Sequence, residues 1–200
     1  MRRIVAILLF DEIEVLDFAG PFEVFAVTDE LSDHKLFRVV TVAQEKRPIR
    51  ARNGLSVNPD HVVADCPPPD ILIVPGGFGT RALLKNSAVL DWIKSVNATA
   101  EIVASVCTGS IVLGRAGLLD GLQATTHHEC FDLLREHAPR TTVVETDRYV
   151  DNGRILTAAG ISAGIDLSLH LVTRLHGAAV AQKTARYMEY HERNDQGTTR

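Results

Sequence analysis

The stretch Glu101-Ile102-Val103-Ala104-Ser105-Val106-Cys107-Thr108-Gly109-Ser110-Ile111-Val112-Leu113-Gly114-Arg115-Ala116-Gly117 decides the reading of this chain. It opens as a short apolar run with isoleucine and valine, the pattern of a buried strand. It closes as a small, helix-compatible segment ended by Gly117, a helix C-cap residue. One cysteine, Cys107, stands at the junction. A tight strand-to-helix junction exposes a side chain at the carboxyl end of a sheet and aims the unpaired N–H groups of the new helix at it. A thiol there is expected to lose its proton more easily and become a nucleophile. The arrangement matches the elbow that presents a catalytic serine in hydrolases, with sulfur in place of oxygen. A buried structural cysteine is the competing reading, and the junction alone does not separate the two.

The rest of the chain supplies the sheet around that junction. Arg3 to Phe10 is nearly all apolar, which suits a central parallel strand buried on both faces. Asp11 to Asp17 reads as an acidic loop, and Gly20-Pro21 as the opening of a helix with Pro21 in its first position. Phe37 to Val42 is the next strand, and Arg52-Asn53-Gly54-Leu55 carries a hairpin signal. Cys66-Pro67-Pro68-Pro69 is a stiff connector that no helix interior tolerates. Ile71 to Val74 is a short buried strand ended by Pro75-Gly76-Gly77, where a double glycine permits close backbone approach. Thr80 to Leu84 and Ser87 to Val96 read as helices. Beyond the junction, Gln123 to Thr126 is extended, and a helix then runs to about His137. Thr141 to Val144 and Tyr149 to Thr157 are extended, with Asp151-Asn152-Gly153 as a hairpin turn. A helix follows the small-residue stretch Ala158 to Gly164 until Gly177 breaks it, and a last helix spans Ala181 to about Tyr190. Strands alternating with helices predict an α/β fold, a doubly wound, mostly parallel sheet flanked by helices. Residues 1–193 are expected to form one domain and residues 194–200 a loose tail.

Composition narrows the function classes. A chain of 200 residues with 46% hydrophobic and 23% charged residues is long enough for one buried core. The net charge of −4 forces no basic face, which argues against nucleic acid as the main partner. Arg2 and Arg3 precede only a short apolar run with Asp11 behind it, so neither a signal peptide nor a membrane span is expected. Cys66, Cys107 and Cys130 are odd in number and widely spaced, which disfavours a disulfide framework and points to the cytoplasm.

Parallel strands would bring three loops together at their carboxyl ends: Asp11–Pro21, Pro75–Thr80 and Cys107–Ser110. Asp17 is the favoured acid, with helix capping or a solvated charge as its alternative role. Gly76 and Gly77 are candidate N–H donors to a developing negative charge, or simply a turn that needs positive φ. Gly-Gly-Phe-Gly-Thr-Arg is not a phosphate loop, because the lysine and hydroxyl residue of that motif are missing. Thr108 is an elbow hydroxyl or a satisfier of backbone groups. His127-His128-Glu129-Cys130 has no zinc-site spacing, so no metal is expected there. His127, at a strand end, is expected in the pocket with Phe78, Gly160 and Ile161.

Four segments together resemble the ThiJ/PfpI superfamily, with its class I glutamine-amidotransferase-like, flavodoxin-like sandwich. They are Val15 to Pro21, Val74 to Gly77, Ala104 to Ser110 and Ala124 to His127. Ser-Val-Cys-Thr-Gly, the aspartate before Gly-Pro and the stretch Gly160 to Asp166 most resemble the isonitrile hydratase branch. Thr108 stands where the intracellular-protease-like branch has histidine, and Asp17 where the parkinsonism-associated branch has glutamate. A similar elbow occurs in the ligand-sensing domain of AraC-type regulators, which continue into a helix-turn-helix segment; Arg200 is expected to leave no room for one. The resemblance implies a Cys107 nucleophile, Asp17 as proton relay and a Thr108 hydroxyl that orients the adduct. It implies hydration of a small-molecule isonitrile to an N-substituted formamide, with no metal or organic cofactor, in a homodimer. A glutathione-independent glyoxalase or deglycase acting on 2-oxoaldehydes, and a non-enzymatic cysteine redox or ligand sensor, are the alternatives.

Overall fold

The structure, a computed structural model, describes residues 2–191; the tail expected at 194–200 lies outside the described residues. In chain order the elements are β1 (Arg3–Leu8), α1 (Val15–Glu30), β2 (Phe37–Ala43), β3 (Ile49–Arg50), β4 (Ser56–Val57), β5 (His61–Val62), β6 (Ile71–Val74), α2 (Thr80–Leu83) and α3 (Ser87–Thr99). Then come β7 (Ile102–Val106), α4 (Gly109–Arg115), β8 (Gln123–Ala124), α5 (Phe131–His137), β9 (Thr142–Val143), β10 (Tyr149–Asp151), β11 (Ile155–Ala158), α6 (Ala163–His176) and α7 (Ala178–Tyr187).

Seven strands form one sheet in the order β10-β11-β7-β6-β1-β2-β5, parallel except for the β10–β11 hairpin. The fold is the α/β sandwich that the alternation of elements predicts. The uninterrupted apolar runs are its middle: Val5 to Leu8, Ile71 to Val74 and Ile102 to Val106 are all buried. Helices cover both faces of such a sheet, so its strands have no polar side to alternate with. The order reverses between β1 and β6, the position at which open parallel sheets leave a crevice beyond their carboxyl ends. Val106 on β7 pairs with Ala158 on β11, so Cys107 and the Ala159-Gly160-Ile161 segment leave the sheet side by side.

Two sequence expectations are corrected. Pro21 does not open α1; it lies inside that helix, which begins at Val15. Asp17 therefore belongs to the first helical turn rather than to a loop. A proline in a helix interior costs on the order of 3 kcal/mol. The burial of Phe18, Val24 and Phe25 and the close fit of α1 on α6 offset it. A Cβ at Gly20 would lie 3.0 Å from Ile165 Cγ1, so glycine lets the two helices approach. Likewise α7 starts three residues early, at Ala178, directly after the Gly177 break at φ +90°. The Asn53-Gly54 signal is borne out: both residues take positive φ between the antiparallel strands β3 and β4. Among the described residues no helix is long and apolar enough to cross a membrane.

Candidate active site

The junction after β7 is held on three sides. Cys107 sits at φ +56°, a left-handed conformation that costs a non-glycine residue about 1–3 kcal/mol. Its N–H donates to Ala158 O at 3.1 Å and Ala159 O at 2.9 Å, from the end of β11. Its carbonyl accepts from Ser110 Oγ at 3.1 Å and from Thr126 Oγ1 at 3.0 Å, from the segment after β8. On the third side β6 presses in: a Cβ at Gly109 would meet Val74 O at 1.9 Å. A Cβ at Gly76 would meet Thr108 N at 2.5 Å. Small residues flank the cysteine because two strand ends and a loop converge on it.

Asp17 lies beneath this junction, fully buried. Its Oδ2 accepts the Gly76 N–H at 2.9 Å, while Oδ1 makes no hydrogen bond of ordinary geometry. Burial raises the Asp17 pKa to about 7; the Gly76 N–H opposes this, Glu14 reinforces it, and the facing Cys107 thiol and Arg52 oppose it. The thiol shifts the same way. Burial pushes the Cys107 pKa up, the Asp17 charge adds to it, and the backbone N–H groups of Thr108 and Ile161 oppose it. Burial and the neighbouring carboxylate act against the easing of proton loss that a helix N-terminus offers. The two groups together form a proton store: a thiol that keeps its proton beside a carboxyl balanced near neutrality.

The two glycine amides expected as oxyanion donors are already engaged, Gly76 with Asp17 and Gly77 with Thr108 Oγ1 at 3.0 Å. The Thr108 hydroxyl donates to Gly77 O at 3.2 Å and lies 3.3 Å from Thr80 Oγ1. It ties the elbow to the glycine loop. The N–H groups that do face the sulfur are those of Thr108 and Ile161. Ile161 takes φ +51°, which turns its amide inward.

Above the sulfur is a cavity of about 110 Å³ lined by Cys107, Thr108, Gly77, Phe78, His127 and Ile161, as expected, and also by Glu14, Arg52, Arg81, Glu129 and Cys130. Asp17, Gly76 and Gly160 do not line it: Asp17 is reached from the cavity only through Cys107, and Gly160 faces the neighbouring cleft and supports His127, whose Cδ2 would lie 2.5 Å from a Cβ there. His127 Nδ1 accepts from the Glu129 N–H at 3.3 Å, and burial, then His128, lowers its pKa, so the ring is neutral at pH 7. Arg52 pairs with Glu14 at 2.7 Å and lies 4.4 Å from the Phe78 ring centroid. A larger cavity of about 170 Å³, near Phe10, Asp11, Arg47 and Leu83, holds no nucleophile. Among the described residues no cluster of three His, Cys, Asp or Glu could hold a metal ion.

Glu14, Arg52 and Arg81 line the cavity although no sequence motif places them there. Glu14 and Arg52 arrive because the Asp11–Glu14 segment is strapped to its neighbours: Glu14 N donates to Gly76 O at 2.9 Å and Arg52 N to Ile13 O at 3.0 Å. No local pattern in a hairpin turn announces such a contact. Arg81 directly follows the Pro75–Thr80 loop, and Glu129 and Cys130, for which a structural or pocket-lining role is the sequence expectation, line the cavity beside His127.

A model of the DJ-1/PfpI family matches residues 3–174. An isonitrile hydratase of Pseudomonas putida is 38% identical over 187 residues, 93% of this chain and 78% of that protein. The HTH-type transcriptional regulator GbdR of Pseudomonas aeruginosa is 31% identical over 96% of this chain, which spans 52% of the regulator. Among solved structures, a ThiJ/PfpI family protein from Pseudomonas syringae superposes with a TM-score of 0.86 at 28% identity, over 99% of this chain and 80% of that one.

Proposed function

The chain belongs to the DJ-1/PfpI family, and from that premise we propose that it is a cysteine-dependent hydratase of small isonitriles. The observation that carries the reading is the pairing of the Cys107 thiol with a buried carboxyl whose pKa is about 7, under a cavity of about 110 Å³. A buried acid tuned to neutrality is suited to move one proton out and back. The similarity to a named isonitrile hydratase supports the choice of electrophile.

The resting enzyme holds Cys107 as thiol and Asp17 as carboxylate. The sulfur attacks the terminal carbon of R–N≡C while Asp17 takes the thiol proton and passes it to that carbon. The product is a thioimidate, R–N=CH–S–Cys107. Water adds to the same carbon; Asp17 accepts a water proton and delivers it to nitrogen. The resulting R–NH–CH(OH)–S–Cys107 collapses to R–NH–CHO. The sulfur leaves toward the Thr108 and Ile161 N–H groups, and the hydroxyl proton returns to it through Asp17. Net, one isonitrile and one water give one N-substituted formamide. Asp17 and Cys107 are the catalytic residues. Thr108 acts as a positioning residue, because its hydroxyl is spent on Gly77. The reaction calls on no metal or organic cofactor. The family resemblance adds a homodimer; chain length supports residues 1–193 as one domain, cysteine usage a cytoplasmic setting, and charge and apolar run length a small-molecule partner rather than nucleic acid or membrane.

The test combines turnover with intact mass. Formamide should appear from an isonitrile, and Cys107 should carry the substrate's mass when the reaction is quenched early. Full hydratase activity in Cys107→Ala would end the covalent scheme. The similarity to a regulator favours a second reading, binding without turnover. Saturable isonitrile binding with no formamide would select it.

A further inference from the structure

We propose that the cavity over Cys107 selects electrophiles that carry a compact anionic group, a carboxylate above all, and that the Arg81 guanidinium receives it. This rests on the reading of Cys107 as a nucleophile toward small electrophiles.

The charges around the cavity lead to this assignment. Two cationic side chains line it, Arg52 and Arg81. Arg52 is neutralised by Glu14 at 2.7 Å. Arg81 has no carboxylate paired with it among the described residues. The remaining acid of the lining, Glu129, leaves 77% of its side chain exposed and lies 4.0 Å from His128 Nε2; the Arg81 side chain reaches the Cys130 thiol, which Glu129 also influences. His127 is held neutral. Arg81 is thus the lining cation without an ion-pair partner among the described residues, on the same small cavity as the nucleophile, with the exposed Glu129 as the other charge of that lining.

Arg81, exposed at the cavity mouth, also packs against a ring. Its guanidinium lies 5.0 Å from the Phe78 ring centroid, and that of Arg52 lies 4.4 Å from the same centroid. Phe78 is 54% exposed, and both cations lie over its ring. The ring stiffens a fork whose geometry matches a carboxylate bidentately. The cavity volume of about 110 Å³ is well below the ~300–1,000 Å³ of drug-sized ligand sites. A ligand that reaches both the sulfur and Arg81 must therefore set its electrophilic carbon and its anion only a few bonds apart, as isocyanoacetate does.

Two measurements on the full chain test this, and one of them needs no turnover. Iodoacetate and iodoacetamide differ by the carboxylate and alkylate the same thiol. Their rates at Cys107, located by peptide mass against Cys66 and Cys130, give a ratio for wild type, Arg81→Gln and Arg81→Lys. The expected result is a fall in the iodoacetate-to-iodoacetamide ratio on the order of tenfold in Arg81→Gln, with partial recovery in Arg81→Lys. In turnover, Arg81→Gln should raise KM for isocyanoacetate and leave its methyl ester unaffected. An unchanged ratio in Arg81→Gln, or equal losses for anion and ester, overturns the proposal. The two readings fail separately. A fallen ratio without hydration of any isonitrile keeps the anion site and removes the hydratase. Hydration with an unchanged ratio does the reverse.

Discussion

Gly76 donates its N–H to Asp17 Oδ2 at 2.9 Å while its Cα packs so tightly on Thr108 that a Cβ would lie 2.5 Å from the Thr108 nitrogen. One glycine thus supports the carboxyl and leaves room for the elbow above it. The buried carboxylate has this amide as its fixed donor, and its pKa settles near 7 because one N–H does not offset complete burial.

Asp17→Asn should abolish hydration and stabilise the fold. Loss of the relay should lower kcat by roughly 10²–10⁴-fold. The folded pKa of about 7 lies above the ordinary 3.8, so the folded state binds its proton more tightly than the unfolded one. Stability is therefore highest when Asp17 is protonated and falls as pH rises from about 4 to 7. Above that window the wild type carries a buried charge worth on the order of 2–4 kcal/mol, which asparagine removes. Thermal unfolding against pH should show the variant more stable above pH 7, with the gain gone below pH 4. An Asp17→Asn protein that is less stable at every pH would contradict this assignment.

The pH–rate profile should follow Asp17 and not a histidine. Attack requires the ionised carboxylate, so kcat/KM should rise about tenfold per pH unit at low pH and level off above about 7. His127→Asn should keep the same inflection, since His127 is already neutral there. Loss of the inflection in His127→Asn would transfer the base to histidine.

Glycine substitutions should separate close approach from backbone strain. At Gly109 a Cβ would lie 1.9 Å from Val74 O, so Gly109→Ala should cost more than about 3 kcal/mol or prevent folding. At Gly153, with φ +87° and open space around it, alanine should cost only about 1 kcal/mol. Denaturant melts of the two variants give the comparison, and equal losses would contradict the packing account.

Thr108→Val should act through position. Removing the hydroxyl leaves the Gly77 N–H without its partner in a buried place, at about 1–3 kcal/mol. The kcat loss should be far smaller than in Cys107→Ala, and Thr108→Ser should restore both stability and rate. A Thr108→Val enzyme as dead as Cys107→Ala would instead put the hydroxyl on the reacting atoms.

Local pattern determined much of this protein. The short apolar runs at Val5, Ile71 and Ile102, rich in β-branched residues, suit strands covered on both faces, and the turns at Asn53-Gly54 and Asp151-Asn152-Gly153 are written in their residue types. Cys107 was legible as the end of a strand, and the family motifs around it located Asp17 and His127. Tertiary structure decided what these residues can do. Pro21 sits inside a helix because packing on α6 outweighs a local preference. Burial and a neighbouring carboxylate, neither visible in local sequence, push the Cys107 thiol's pKa up. Arg52 and Arg81 meet over Phe78 only because a hairpin and a loop far apart in sequence close on one crevice. Charge and desolvation act through space, and spacing along a chain does not record who will be the neighbour.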